Sequence, residues 1–134
     1  MKRLAALFTC LLAIALAPVA LAEPASYEPG SITTEALAAL LRSGAPVVLL
    51  DARPTMPATL PGAKQLVPEA SAEALAAAAP DKDALIITYC SAAACKLSNR
   101  LATRLAKLGY ANVIEYTEGF SAWRKAGHPT VPFK

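Results

Sequence analysis

The sequence predicts an α/β fold, a small parallel sheet with helices on both faces, and three observations point there. Short, continuously apolar runs such as Val47-Val48-Leu49-Leu50 and Leu85-Ile86-Ile87-Thr88-Tyr89 read as strands buried on both sides, as a helix-covered parallel sheet requires. Helical periodicity lies between and after them. It is clearest at Leu97, Leu101, Leu105 and Leu108, whose spacings of four, four and three place one apolar face on a helix. Glycine and proline punctuate the joins at Gly44, Pro46, Pro80 and Gly109.

Residues 1–22 read as a secretory signal peptide. Lys2 and Arg3 precede an apolar run over residues 4–17, then Pro18 and the small-residue pattern Ala20-Leu21-Ala22, which sets cleavage between Ala22 and Glu23. The run falls short of the roughly 20 apolar residues a spanning helix needs. The expectation is therefore a periplasmic or secreted protein with no stable membrane insertion after processing. Cys10 leaves with the signal, and Leu7-Phe8-Thr9 lacks the small residues that precede a lipoprotein cysteine.

Removing 22 of the 134 residues leaves 112, enough for one domain at 31–134 behind a loose, proline-bearing leader at 23–30. Such a chain buries roughly 65% of its unfolded surface without staples. The thirteen Lys and Arg fall to eleven against ten Asp and Glu, so the apparent basicity belongs partly to the signal. Nothing in that balance suggests a nucleic-acid partner, and the sequence names no protein partner.

In chain order, Ile32 is expected in a short first strand. Thr33 or Thr34 then caps a helix through Leu41, closed by Gly44 and Pro46. The strand at 47–50 ends in Asp51 and Arg53, at the carboxyl edge where open α/β sheets place their sites; the residues themselves read as a local ion pair or cap. Pro54, Pro57 and Pro61 keep the next segment irregular, residues 63–67 read as a strand, and 71–79 as an alanine-rich helix capped by Ser71 and stopped by Pro80. The central strand, 85–89, runs into Cys90, a loop, and a helix over 98–108. Lys96, Arg100, Arg104 and Lys107 share one side of it, a solvated face for the last three. Lys96 is a cation near a helix N-terminus, which opposes the macrodipole and points to an anion. A further short strand follows Gly109. Trp123, on a short helix after Gly119, is expected in the core.

Cys90 carries the chemistry. At the entry to a helix N-terminus, unpaired N–H groups and the macrodipole favour negative charge, which lowers a thiol's pKa and makes it a nucleophile. The bland alternative is a small buried hydrophobe. Cys95 is the only other cysteine after residue 22, and three roles stay open for it: a disulfide partner, if the loop curls back on itself, a resolving thiol for Cys90, or an inert side chain. His128 has no partner at metal-ligand spacing and two cysteines alone make no zinc site, so neither metal nor other cofactor is expected. Phosphate loops, a nucleophile elbow and dinucleotide glycines are absent from the sequence.

Taken together, these pieces resemble the rhodanese-homology domain. The resemblance rests on Asp51-Ala52-Arg53 at a strand end, Leu60-Pro61-Gly62-Ala63, the strand and loop at Cys90, Gly109-Tyr110-Ala111-Asn112-Val113, and Glu118-Gly119-Phe120-Ser121-Ala122-Trp123, in the right order from about Ile32 to Thr130. It implies that Cys90 attacks a small sulfur-containing donor such as thiosulfate and holds the sulfur as a persulfide for a thiol or cyanide acceptor. Lys96 and the backbone of Ser91, Ala92, Ala93 and Ala94 would hold the anion, with Asp51 and Arg53 as structural support.

The loop departs from the family pattern. It is two residues longer, Leu97 stands where the family has an arginine, no glycine is present, and Cys95 and Lys96 have appeared. The family's Gly-His-Ile before Pro-Gly-Ala is replaced by Ala58-Thr59-Leu60. Three functions therefore compete: a periplasmic sulfurtransferase, a thiol–disulfide redox or sensor protein working through Cys90 and Cys95, and a catalytically silent rhodanese-like binding module. Phosphate ester chemistry, which relatives perform with a loop arginine, is disfavoured without one.

Overall fold

The computed structural model describes residues 27–133. The expected signal peptide, its cleavage point and residues 23–26 of the leader lie outside them. The elements are, in order, β1 (Gly30–Ser31), α1 (Thr34–Arg42), β2 (Val48–Asp51), β3 (Ala58–Thr59), β4 (Lys64–Gln65), α2 (Ala72–Ala78), β5 (Leu85–Tyr89), α3 (Leu97–Lys107), β6 (Asn112–Tyr116), α4 (Gly119–Lys125) and β7 (Val131–Pro132). Five strands form one parallel sheet in the order β1-β6-β5-β2-β4.

Successive residues of a strand face opposite sides, and here both sides are covered. Leu50 and Ile86 meet Leu75 of α2 and Leu101 and Leu105 of α3. Leu49 and Ile87 meet Leu37 of α1 and Phe120 and Trp123 of α4. This two-faced burial is why β2 and β5 read as unbroken apolar runs. Each fully buried Leu or Ile contributes about 1.5–3 kcal/mol relative to exposure.

The caps fall where short polar side chains were available. Thr33 Oγ1 accepts from the Ala36 N–H at 3.2 Å and Ser71 Oγ from the Ala74 N–H at 3.2 Å, opening α1 and α2. Trp123 is core as expected, its indole N–H donating to the Pro129 carbonyl at 2.8 Å.

Several local expectations need correction. The first strand is Gly30–Ser31, with Ile32 just beyond it donating to the Glu115 carbonyl at 3.1 Å. The end of the leader is thus fastened, Gly30 opposite Ile114 and the Tyr27 hydroxyl donating to the Val113 carbonyl at 3.1 Å. The strand expected at 63–67 shortens to Lys64–Gln65, an edge that pairs with β2 alone. The unexpected β3 and β7 pair antiparallel as a separate two-stranded sheet. Leu108 lies past the end of α3 and is 38% exposed, so it does not extend the apolar stripe. Arg104 is not merely solvated, because its guanidinium donates to the carbonyls of Pro68 and Ala70. Arg100 pairs with Glu69 at the surface, where an ion pair contributes little.

Candidate active site

Strand register places the site. Asp51 stands opposite Tyr89, and Tyr89 opposite Tyr116, at the carboxyl ends of β2, β5 and β6. Cys90 is the next residue on the central strand and is only 2% exposed. It is joined to Cys95 by a disulfide, with 6.1 Å between the Cα atoms. The loop curls back as that link requires, in a turn closed by the Cys95 N–H donating to the Ala92 carbonyl at 2.9 Å.

The first two residues of the loop are gripped by α4. The Phe120 N–H donates to the Cys90 carbonyl and the Ser121 N–H to the Ser91 carbonyl, both at 2.9 Å, so two of the orphan donors of that helix start hold the loop main chain. The grip demands glycine at 119. Its φ is +72°, and a Cβ there would stand 2.6 Å from the Cys90 oxygen and 2.9 Å from the Ala92 nitrogen. Beyond this anchor the backbone N–H groups of Ser91, Ala92, Ala93 and Ala94 donate to no protein acceptor among the described residues. The Ser91 hydroxyl is 3.8 Å from the Cys90 sulfur. Lys96 is exposed at the cap position of α3, without a side-chain capping bond, and among the described residues its ammonium has no ion-pair partner.

Asp51 and Arg53 lie under this loop in a closed polar network. Oδ1 of Asp51 accepts from the Arg53 N–H at 3.1 Å and from Nε at 2.9 Å. Oδ2 accepts from Nη2 at 2.6 Å and from the Tyr89 hydroxyl at 2.8 Å, with the Thr59 hydroxyl also 2.8 Å away. A carboxylate offers about four lone-pair positions, and these donors occupy them, so Asp51 is committed to the network. Burial pushes the Tyr89 phenol up, which keeps it protonated as a donor to Asp51. The Arg53 guanidinium also lies 4.2 Å from the centre of the Phe120 ring, a cation–π contact. Phe120 is the residue whose N–H holds Cys90. The network therefore bears on the cysteine through α4.

A second network sets the far end of the loop. The buried carboxylate of Glu115 accepts from the Ser98 hydroxyl at 2.7 Å and from Asn99 Nδ2 at 3.2 Å, while the Thr88 hydroxyl donates to the Ser98 carbonyl at 3.0 Å. These bonds tie the first turn of α3 to β5 and β6. Periodicity gives no sign of Glu115, Thr59 or the second role of Phe120, because each acts through a partner far along the chain. Among the described residues no three His, Cys, Asp or Glu side chains gather to hold a metal ion, and His128 instead stacks on Trp123 with 4.5 Å between ring centres.

The family model described as a rhodanese-like domain matches residues 33–126. The chain belongs to the rhodanese-like domain family. Solved structures agree with this rhodanese-like fold. The rhodanese-like domain of an Anabaena sp. protein is 24% identical with a TM-score of 0.66, covering 80% of this chain and 81% of that one. A human single-domain sulfurtransferase is 20% identical with a TM-score of 0.57, covering 71% and 95%. A Rhodopseudomonas palustris protein of unknown function, described as a possible tyrosine phosphatase, is 26% identical with a TM-score of 0.62, covering 77% and 85%. No curated protein matches. In this rhodanese-like domain the parallel sheet delivers Cys90 to the edge, and the altered loop decides what stands beside it.

Proposed function

We propose that the protein is a sulfurtransferase working through a persulfide on Cys90. The Cys90 thiolate attacks the outer sulfur of a donor such as thiosulfate, the donor S–S bond breaks, and sulfite leaves with the electron pair. The persulfide then yields its outer sulfur to cyanide or a thiol, restoring the thiolate. The observation that carries this reading is the setting of Cys90. It is the residue directly after the central strand, its main chain is held by α4, and uncommitted N–H groups of Ser91–Ala94 follow it. Such donors stabilise an anionic sulfur without a metal. Lys96 adds the nearest cation in sequence. On its signal-peptide pattern we place the mature protein in the periplasm.

The disulfide favours a second reading, a thiol–disulfide redox protein whose working unit is Cys90 with Cys95. Even for the sulfurtransferase it is a capped form that must be reduced before turnover. The possible phosphatase among the structural relatives does not extend to this loop, which has no arginine to grip phosphate. Sulfite release from thiosulfate over many turnovers, with dithiol and cyanide present, tests the proposal. Cys90→Ser should abolish it and Cys95→Ser should keep a substantial part. Substantial activity in Cys90→Ser would sink the mechanism, and loss in both variants would make the pair the catalytic unit.

A further inference from the structure

We propose that Cys95 is a second catalytic residue, which resolves the Cys90 persulfide within the chain, releases the transferred sulfur as hydrosulfide, and makes a dithiol the reductant that completes the cycle. This deepens the sulfurtransferase reading and rests on it.

The geometry comes from the loop. A disulfide between these residues requires the two sulfurs to come into bonding contact, and the turn at Ala92 brings them together with the Cα atoms 6.1 Å apart. The same approach is the one a Cys95 thiolate needs when Cys90 carries an extra sulfur. Cys95 is partly exposed, whereas Cys90 is 2% exposed. The tethered thiol, five residues along the chain, already reaches the Cys90 sulfur, which is the inner sulfur of the persulfide, whereas an external acceptor meets the outer sulfur first. Exchange by in-line attack at that inner atom expels the outer one.

The electrons and atoms balance as follows. The Cys95 thiolate bonds to the Cys90 sulfur, the bond between that sulfur and the outer sulfur breaks, and the pair leaves on hydrosulfide. The product is the Cys90–Cys95 disulfide of the structure. The outer sulfur, formally zero-valent in the donor, is reduced, and the two cysteines are oxidised. An external dithiol then reduces the disulfide, itself becoming a disulfide and returning both protons. Over one cycle thiosulfate and a dithiol give sulfite, hydrosulfide and an oxidised dithiol. Proximity is the advantage, since a tethered nucleophile competes at high effective concentration with any free acceptor.

The test is a single turnover under anaerobic conditions. The protein is reduced with dithiothreitol, freed of it, and mixed with a small excess of thiosulfate and no acceptor. The unmutated chain should release one sulfite and one hydrosulfide and lose two hydrogens in intact mass. Cys95→Ser and Cys95→Ala should release one sulfite, gain one sulfur atom, and release hydrosulfide only after dithiothreitol is added. With cyanide but no dithiol, Cys95→Ser should sustain thiocyanate formation over many turnovers while the unmutated chain stops after about one. A persulfide that persists in the unmutated chain, or hydrosulfide released by the Cys95 variants as fast as by the parent, overturns the resolving role while leaving Cys90 as nucleophile. Failure of every form to release sulfite overturns the sulfurtransferase reading as well.

Discussion

Gly119 and Cys90 lie in contact through their backbones: a Cβ on the glycine would stand 2.6 Å from the cysteine's carbonyl oxygen. The contact allows the N–H groups of Phe120 and Ser121 to reach the loop.

Replacing Gly119 with alanine should therefore disturb both stability and the setting of Cys90. A non-glycine residue held at positive φ costs about 1–3 kcal/mol, and here the crowding atoms of Cys90, Ser91 and Ala92 are main chain that cannot swing aside. We expect a lower melting temperature and faster alkylation of reduced Cys90, because relief of the clash lifts the loop off α4. An unchanged melting temperature would show that the helix start relaxes freely.

Asp51→Ala leaves the Arg53 guanidinium buried without its counter-charge and removes the acceptor of Tyr89. Breaking a buried pair in this way costs about 3–5 kcal/mol, and reduced Cys90 should remain alkylatable. Asp51→Asn, which keeps part of the hydrogen bonding, should fall between the two. Activity lost with an unchanged melting temperature would give the carboxylate a chemical role instead.

Glu118 predicts an acid-side dependence. The Thr34 hydroxyl and then the Thr34 N–H, both donating to its carboxylate, hold its pKa below the ordinary 4.5. A folded pKa below the unfolded one means that the charged form contributes stability above the unfolded value, lost as pH falls through the folded value. The melting temperature of the parent should exceed that of Glu118→Gln near neutrality, and the gap should close on acidification below about pH 4.5. A gap constant across that window would sink the assignment.

The proposed export signal is tested at its cleavage point. Protein recovered from the envelope fraction should begin at Glu23, and Met1 on that protein would overturn the periplasmic assignment.

Much of the fold is legible in the sequence because burial leaves a periodic mark. β2 and β5 carry it on both faces, and α3 carries it at Leu101 and Leu105, which is enough to call a helix-covered parallel sheet. The cysteine at the strand end is legible for the same reason. Contacts made across the chain leave no such mark. Nothing near Ala58 signals its pairing with Pro132, nor does anything near Glu115 signal Ser98. Leu108 misleads in the opposite direction, since it keeps helical spacing after the helix has ended. The spacing of Cys90 and Cys95 fits a linked, a resolving and an inert cysteine equally well, because the turn at Ala92 that lets the two sulfurs join leaves no mark in it.

The bonds from Phe120 and Ser121 stop at Ser91, and that boundary divides the site into a socket and an insert. The strand and α4 fix where the main chain of Cys90 sits. Downstream, residues 93–95 are attached by one backbone bond and the cross-link. Lengthening, shortening or exchanging that insert changes what confronts the sulfur without relocating it. One scaffold can thus be refitted for a different reaction by swapping a few residues at its rim.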